Sequence, residues 1–285
     1  MITIEETIRK RINESINEEL SIADDVYRTS QNILETIINR IQKEPYTKFK
    51  EGIKIQRFSF NEYLLSRKIV ISVIHYNFGN KYYFEKNSSL INYDDGDRYN
   101  IIKIFCYSLS GALDRASAMN TIQHEVEHIY QGLKGSKNIT QFNSLYTKAI
   151  QELNRNTNIE NKILSNVIYL SYKFEDDGYI NGLYGFLMEK EELPTFENIK
   201  QTPVYKLLLQ FREQLNIIIR NKENYNLLAF NTYGITISSI FKKARNAEKY
   251  LINRIGKIII KVTKDKKSKG NFLATTKGKI TDFNI

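Results

Sequence analysis

Apolar residues recur along this chain in two rhythms, and the changes of rhythm mark out its regions. Between residues 3 and 43, Ile8, Ile12, Ile16 and Leu20, and then Ile33, Leu34, Ile37, Ile38 and Ile41, fall mostly three or four apart. That spacing lines one face of a helix, so two helices are predicted, the second closed at Glu44-Pro45. They would cover a sheet or form an oligomer contact. From about 50 to 110 the pattern shortens. Ile53–Phe60, Lys68–Phe78 and Ile101–Ser110 are β-branched and aromatic and read as strands, with turns at Asn77–Asn80 and Asp94–Asp97. Asp94, Asp95 and Asp97 lack the closing glutamate of a calcium loop, so they read as a plain acidic turn.

The helical period then returns. Ala112, Leu113, Ala116, Met119, Ile122, Val126, Ile129 and Leu133 predict one helix over about 112–132, with Gly111 before it and Gly132 and Gly135 at its end. Residues 139–190 read as helical, with breaks near Asn154–Asn158 and Glu175–Gly178 and a helix opening at Glu175. Pro194 marks a boundary, followed by helices over 196–220 and about 235–259. The expected fold class is α+β, mostly helical, with a small mixed sheet next to the central helix.

Composition narrows the function classes. The formal net charge of the 285 residues is +10, and residues 241–285 carry thirteen Lys and Arg against three acids, so the rest sums to zero. Such a basic end makes a weak electrostatic contact with nucleic acid or is simply solvated. No nucleic-acid-binding helix pair, zinc knuckle or RNA-binding strand signature accompanies it. No uncharged apolar stretch is long enough for a membrane span, and the start of the chain lacks a basic region followed by an apolar core. The lone Cys106, in a strand-like run, has no internal disulfide partner, which suits a reducing, cytoplasmic setting.

The chemistry is concentrated in His124-Glu125-Val126-Glu127-His128. With only three histidines in the chain, a shuffled sequence would contain H-E-x-x-H in roughly one or two cases per thousand. Residues four apart share a helix face, so both imidazoles can meet one metal ion. Glu125 is rotated by about 100° from His124, beside the metal's open position, where it can take a proton from bound water. Glu127 faces elsewhere, as a surface or supporting group. Nitrogen and carboxylate ligands favour Zn2+.

A catalytic zinc site needs a third protein ligand. No histidine follows His128, and His75 lies upstream in a strand-like run. The acidic knot Glu175-Asp176-Asp177, set among bulky apolar residues, is costly unless a cation compensates it. Glu175 ranks first, then Asp176 and Asp177; Glu152 and Glu160 sit in polar surroundings and rank lower. Helix-start electrostatics is the plainer explanation of Glu175.

Over residues 100–190 these motifs resemble the zincin metallopeptidases, and more narrowly the gluzincins; the chain also looks like H-E-x-x-H proteins of phages and mobile elements. The resemblance implies zinc held by His124, His128 and Glu175, Glu125 as general base, and a sheet whose edge strand aligns a peptide or protein substrate for hydrolysis. The aspartate that many gluzincins carry three or four residues after the ligand glutamate is absent, since Gly178 and Tyr179 stand there. A tyrosine, with Tyr130 and Tyr184 as candidates, or His75 would stabilise the oxyanion. The implied organisation is a helical pair (1–45), a zincin-like core (46–190), a helical region (191–260) and a basic tail (261–285). The rivals are a nucleic-acid-associated regulator carrying a zincin-like domain, and a non-catalytic protein with a relict metal site.

Overall fold

The computed structural model describes residues 3–14, 23–46, 48–50, 53–77, 88–93, 100–108, 113–134, 144–155 and 158–268. The turn residues 78–80 and 94–97, Gly111, Gly135 and the segment 269–285 lie outside them. The fold is α+β. Its helices are α1 (Ile4–Glu14), α2 (Asp24–Lys43), α3 (Arg115–Leu133), α4 (Ser144–Asn154), α5 (Ile159–Tyr169), α6 (Lys173–Glu189), α7 (Phe196–Gln201), α8 (Pro203–Arg220), α9 (Lys222–Tyr233) and α10 (Ile237–Ser268). The strands are β1 (Lys48–Lys50), β2 (Ile53–Leu64), β3 (Arg67–Asn77), β4 (Ser88–Tyr93) and β5 (Asn100–Ser108).

The chain divides into two compact units. One comprises residues 21–134 and 181–193 and contains the sheet, in the order β1-β2-β3-β5-β4. The β3–β5 pair is parallel and the other three pairs are antiparallel. Residues in β3 alternate between buried and half-buried, as a strand with one face on a core must. Ile69, Ile71 and Val73 of β3 and Phe58 of β2 join a core with Val26, Ile33, Leu34 and Ile37 of α2 and Met119, Ile122, Val126 and Ile129 of α3. Helices α2 and α3 thus bury their apolar stripes with the inward residues of the sheet. The β2–β3 hairpin turns at Leu65 and Ser66, both with positive φ (50° and 63°). A two-residue turn between right-twisted strands demands that conformation, and Leu65 still packs on the core.

The other unit comprises residues 1–20, 135–180 and 194–285. Its core joins Leu164, Val167 and Ile168 of α5, Phe211, Leu215 and Ile218 of α8, and Ile237, Ile240 and Ala244 of α10. Helix α1 belongs with this unit, packed where Gly256 of α10 faces the Ile12 backbone.

Several boundaries depart from the sequence expectation. Strands β1 and β4 and helix α9 carried no clear signal. The break expected at Glu175–Gly178 falls instead at Leu170–Tyr172, and Glu175 lies inside the first turn of α6. The helix expected over 196–220 is cut at Thr202, which is extended (φ −75°, ψ 150°) because Pro203 follows it. Residues 261–268 of the expected basic tail are the last turns of α10, with Val262, Thr263 and Lys266 buried. No helix among the described residues is long and apolar enough to cross a membrane.

Candidate metal centre

Helix α3 has two working faces. Asp114 caps it, its carboxylate accepting from the Ala116 and Ser117 amides at 3.1 and 3.5 Å. Met119, Ile122, Val126 and Ile129 recur on one side and belong to the core. Asn120, His124, His128 and Gln131 recur every four residues or so on the other. His128 is 4% exposed, and His124 and Glu125 are half-buried. Arg115, at the start of the helix, pairs with Glu35 of α2 and, at 3.0 Å, with Glu189 of α6.

Two glycines bring α6 close to this polar face. A Cβ added at Gly182 would lie 2.7 Å from the Asn120 carbonyl oxygen, and one at Gly185 would overlap Gln123 Oε1 and stand 3.0 Å from Met119 Cγ. Hydrogen at these two positions is therefore what lets the backbones approach. The helix runs unbroken from Lys173 to Glu189.

Glu175 sits on that first turn, and His124, His128 and Glu175 form a cluster whose potential ligand atoms all lie within 4.8 Å of one another. The two imidazole Nε2 atoms are 3.0 Å apart, with the rings edge-on at 87°. Two nitrogens bound to one tetrahedral zinc at about 2.05 Å would stand roughly 3.3 Å apart, so the spacing fits such an ion. Glu175 is 5% exposed and accepts a hydrogen bond from the Tyr146 hydroxyl at 2.7 Å. Tyr169 stacks on the Tyr146 ring, with centroids 5.5 Å apart. Burial, and next the Glu175 carboxylate, hold both phenols far above their ordinary pKa, so they remain donors.

The other sequence candidates separate cleanly. Asp176 is 2% exposed but lies outside the cluster. Burial, followed by the charges of Asp177 and Glu175, pushes it up to about 8. Asp177 accepts from the Tyr250 hydroxyl. Glu152 pairs with Arg155 at 2.6 Å, and Glu160 is exposed in the first turn of α5. Glu127 is not a surface group: it is 8% exposed and accepts from Gln131 Nε2 at 3.0 Å. Tyr184 is buried edge-on to Tyr27, and the Tyr130 ring carries Lys134 Nζ at 5.5 Å.

His75 is fully buried in β3 and is not a member of the His124, His128 and Glu175 cluster. Gln56 Nε2 donates to the carbonyls of Ile41 (3.0 Å) and Glu44, which turns Gln56 Oε1 toward His75 Nδ1 at 2.7 Å. The ring therefore carries its proton on Nδ1. Desolvation lowers its pKa to about 4, so it is neutral near pH 7.

Tyr146 carried no signal in the sequence. It lies 29 residues before Glu175, and it is one of nineteen tyrosines. No protein-family model matches the chain, and no curated protein or solved structure is detectably similar to it.

Proposed function

We propose that this chain is a zinc-dependent peptide hydrolase of the zincin type, with His124, His128 and Glu175 as metal ligands and Glu125 as general base. The observation that carries this reading is the convergence of a carboxylate from a distant helix on two imidazoles one turn apart, all within 4.8 Å. Three protein ligands leave the fourth position of a tetrahedral ion open to water. When bound, zinc supplies a water of lowered pKa and polarises a carbonyl. Glu125 follows His124 directly, is half-buried and is not among the three clustered ligands, and the helical period turns it about 100° from His124, which suits it to the base's part. Its part is to accept the water's proton and return it to the departing amine.

The sheet supports the same reading. Among the described residues β4 is an edge strand, antiparallel to β5, and β5 is the strand that precedes α3. An edge strand offers backbone donors and acceptors to an extended peptide, which makes a peptide or protein chain the fitting substrate. Purified protein should hold one zinc per chain, and Glu125→Gln should retain it while losing hydrolysis of peptide and protein substrates. Failure of the wild type to bind zinc, or undiminished cleavage by Glu125→Gln, would overturn the proposal.

A second reading rests on α10, where Lys242, Lys243, Arg245 and Lys249 are exposed. Nucleic acid bound there would dissociate steeply with salt. Replacing these four residues with glutamine should abolish such binding and leave zinc content unchanged.

A further inference from the structure

We infer that Tyr146 is a positioning residue for the metal centre: its hydroxyl holds the Glu175 carboxylate in the orientation that completes the site. The inference rests on the metal-binding reading and adds a requirement to it. The two histidines are set by one rigid helix, but Glu175 reaches the cluster through a flexible side chain. Ordering a glutamate of this kind costs rotamer entropy. A carboxylate already fixed by a donor leaves less of that cost to metal binding.

The packing around Tyr146 suits this role. The residue is 6% exposed. Its ring stacks on Tyr169 with centroids 5.5 Å apart and planes 18° apart, and it meets the edge of Tyr172 at 4.9 Å. The ring has no room to swing, so the hydroxyl 2.7 Å from Glu175 Oε1 is held in place. Neighbouring rings supply a built-in control. The Tyr172 hydroxyl is buried in the same cluster with no hydrogen-bond partner, so removing it leaves the Glu175 contact intact.

The test measures zinc affinity by chelator competition, alongside the melting temperature of the metal-free protein. Tyr146→Phe keeps the ring and should raise the zinc Kd by about 10–100-fold, the usual effect of losing a ligand's hydrogen-bond partner. Tyr172→Phe should change it by less than about twofold. In a Glu175→Gln background, Tyr146→Phe should have little further effect, because the two residues act as a unit. Wild type binding no zinc would defeat the metal reading itself. A wild type that binds zinc together with a Tyr146→Phe variant that binds equally well would overturn only the positioning role. Equal loss in Tyr146→Phe and Tyr172→Phe, matched by lowered metal-free melting temperatures, would reduce Tyr146 to packing and overturn the role as well.

Discussion

Histidine is buried in two places in this protein, in opposite ways. In β3, His75 has a cross-strand amide for a partner, and Gln56 is itself anchored by two backbone carbonyls. That partner and the ring's burial both suit a neutral imidazole. In α3, His124 and His128 turn their Nε2 atoms toward each other at 3.0 Å, with a buried carboxylate alongside. Burial alone does not mark a ligand. What distinguishes the second place is convergence of lone pairs, gathered from separate elements on a volume that a cation fits.

The strongest way to break this contrast is Glu125→Gln. Peptide hydrolysis should fall by about 10²–10⁴-fold while zinc stoichiometry stays at one, as followed by fluorogenic peptide cleavage and metal analysis. Next comes a matched pair of variants. His128→Ala should lose zinc, whereas His75→Gln should keep it and instead destabilise the fold by about 1–3 kcal/mol in urea unfolding. If His75→Gln sheds the metal as readily, the two places are not distinct in function.

Gly182→Val sharpens the comparison by moving the carboxylate without touching an imidazole. The added atoms collide with the Asn120 backbone. The expected cost is about 1–3 kcal/mol of stability, together with weakened zinc binding. Preserved stability with full affinity would show that the close approach of α6 is not what places Glu175.

The most gradual effect is one of pH, spread over more than two pH units. His75 titrates near 4 in the fold, against about 6.5 in the unfolded chain. The unfolded state binds the proton more readily, so the contribution of neutral His75 is complete above about pH 6.5 and is lost as pH falls toward 4. Metal-free protein should lose up to roughly 3 kcal/mol across that window, and His75→Gln should flatten this part of the profile.

The helix that carries His124 and His128 was legible because its signals are local. An apolar stripe of period near 3.6 and the H-E-x-x-H spacing fall within nineteen residues. Glu175 stood out as an acid among apolar neighbours, since burying a carboxylate requires compensation. Tyr146 was hidden because its role depends on how α4 and α6 meet, which no local pattern records. The glycines at 182 and 185 were visible as letters, but their purpose lies in atoms of another helix. Strand β4 is six residues long and takes its identity from pairing with β5, and such short edge strands carry little propensity of their own. Thr202-Pro203 was a readable helix breaker that the continuous apolar pattern over 196–220 overrode.

The hairpin tip at Leu65 and Ser66 has a reach well beyond its size. Antiparallel pairing counts outward from the tip, so Leu64 opposite Arg67 dictates Gln56 opposite His75 further down the ladder. One residue inserted at that bend would slide the whole pairing and carry the glutamine off the imidazole. Loop length at a distant corner thereby governs whether an interior ring keeps its companion.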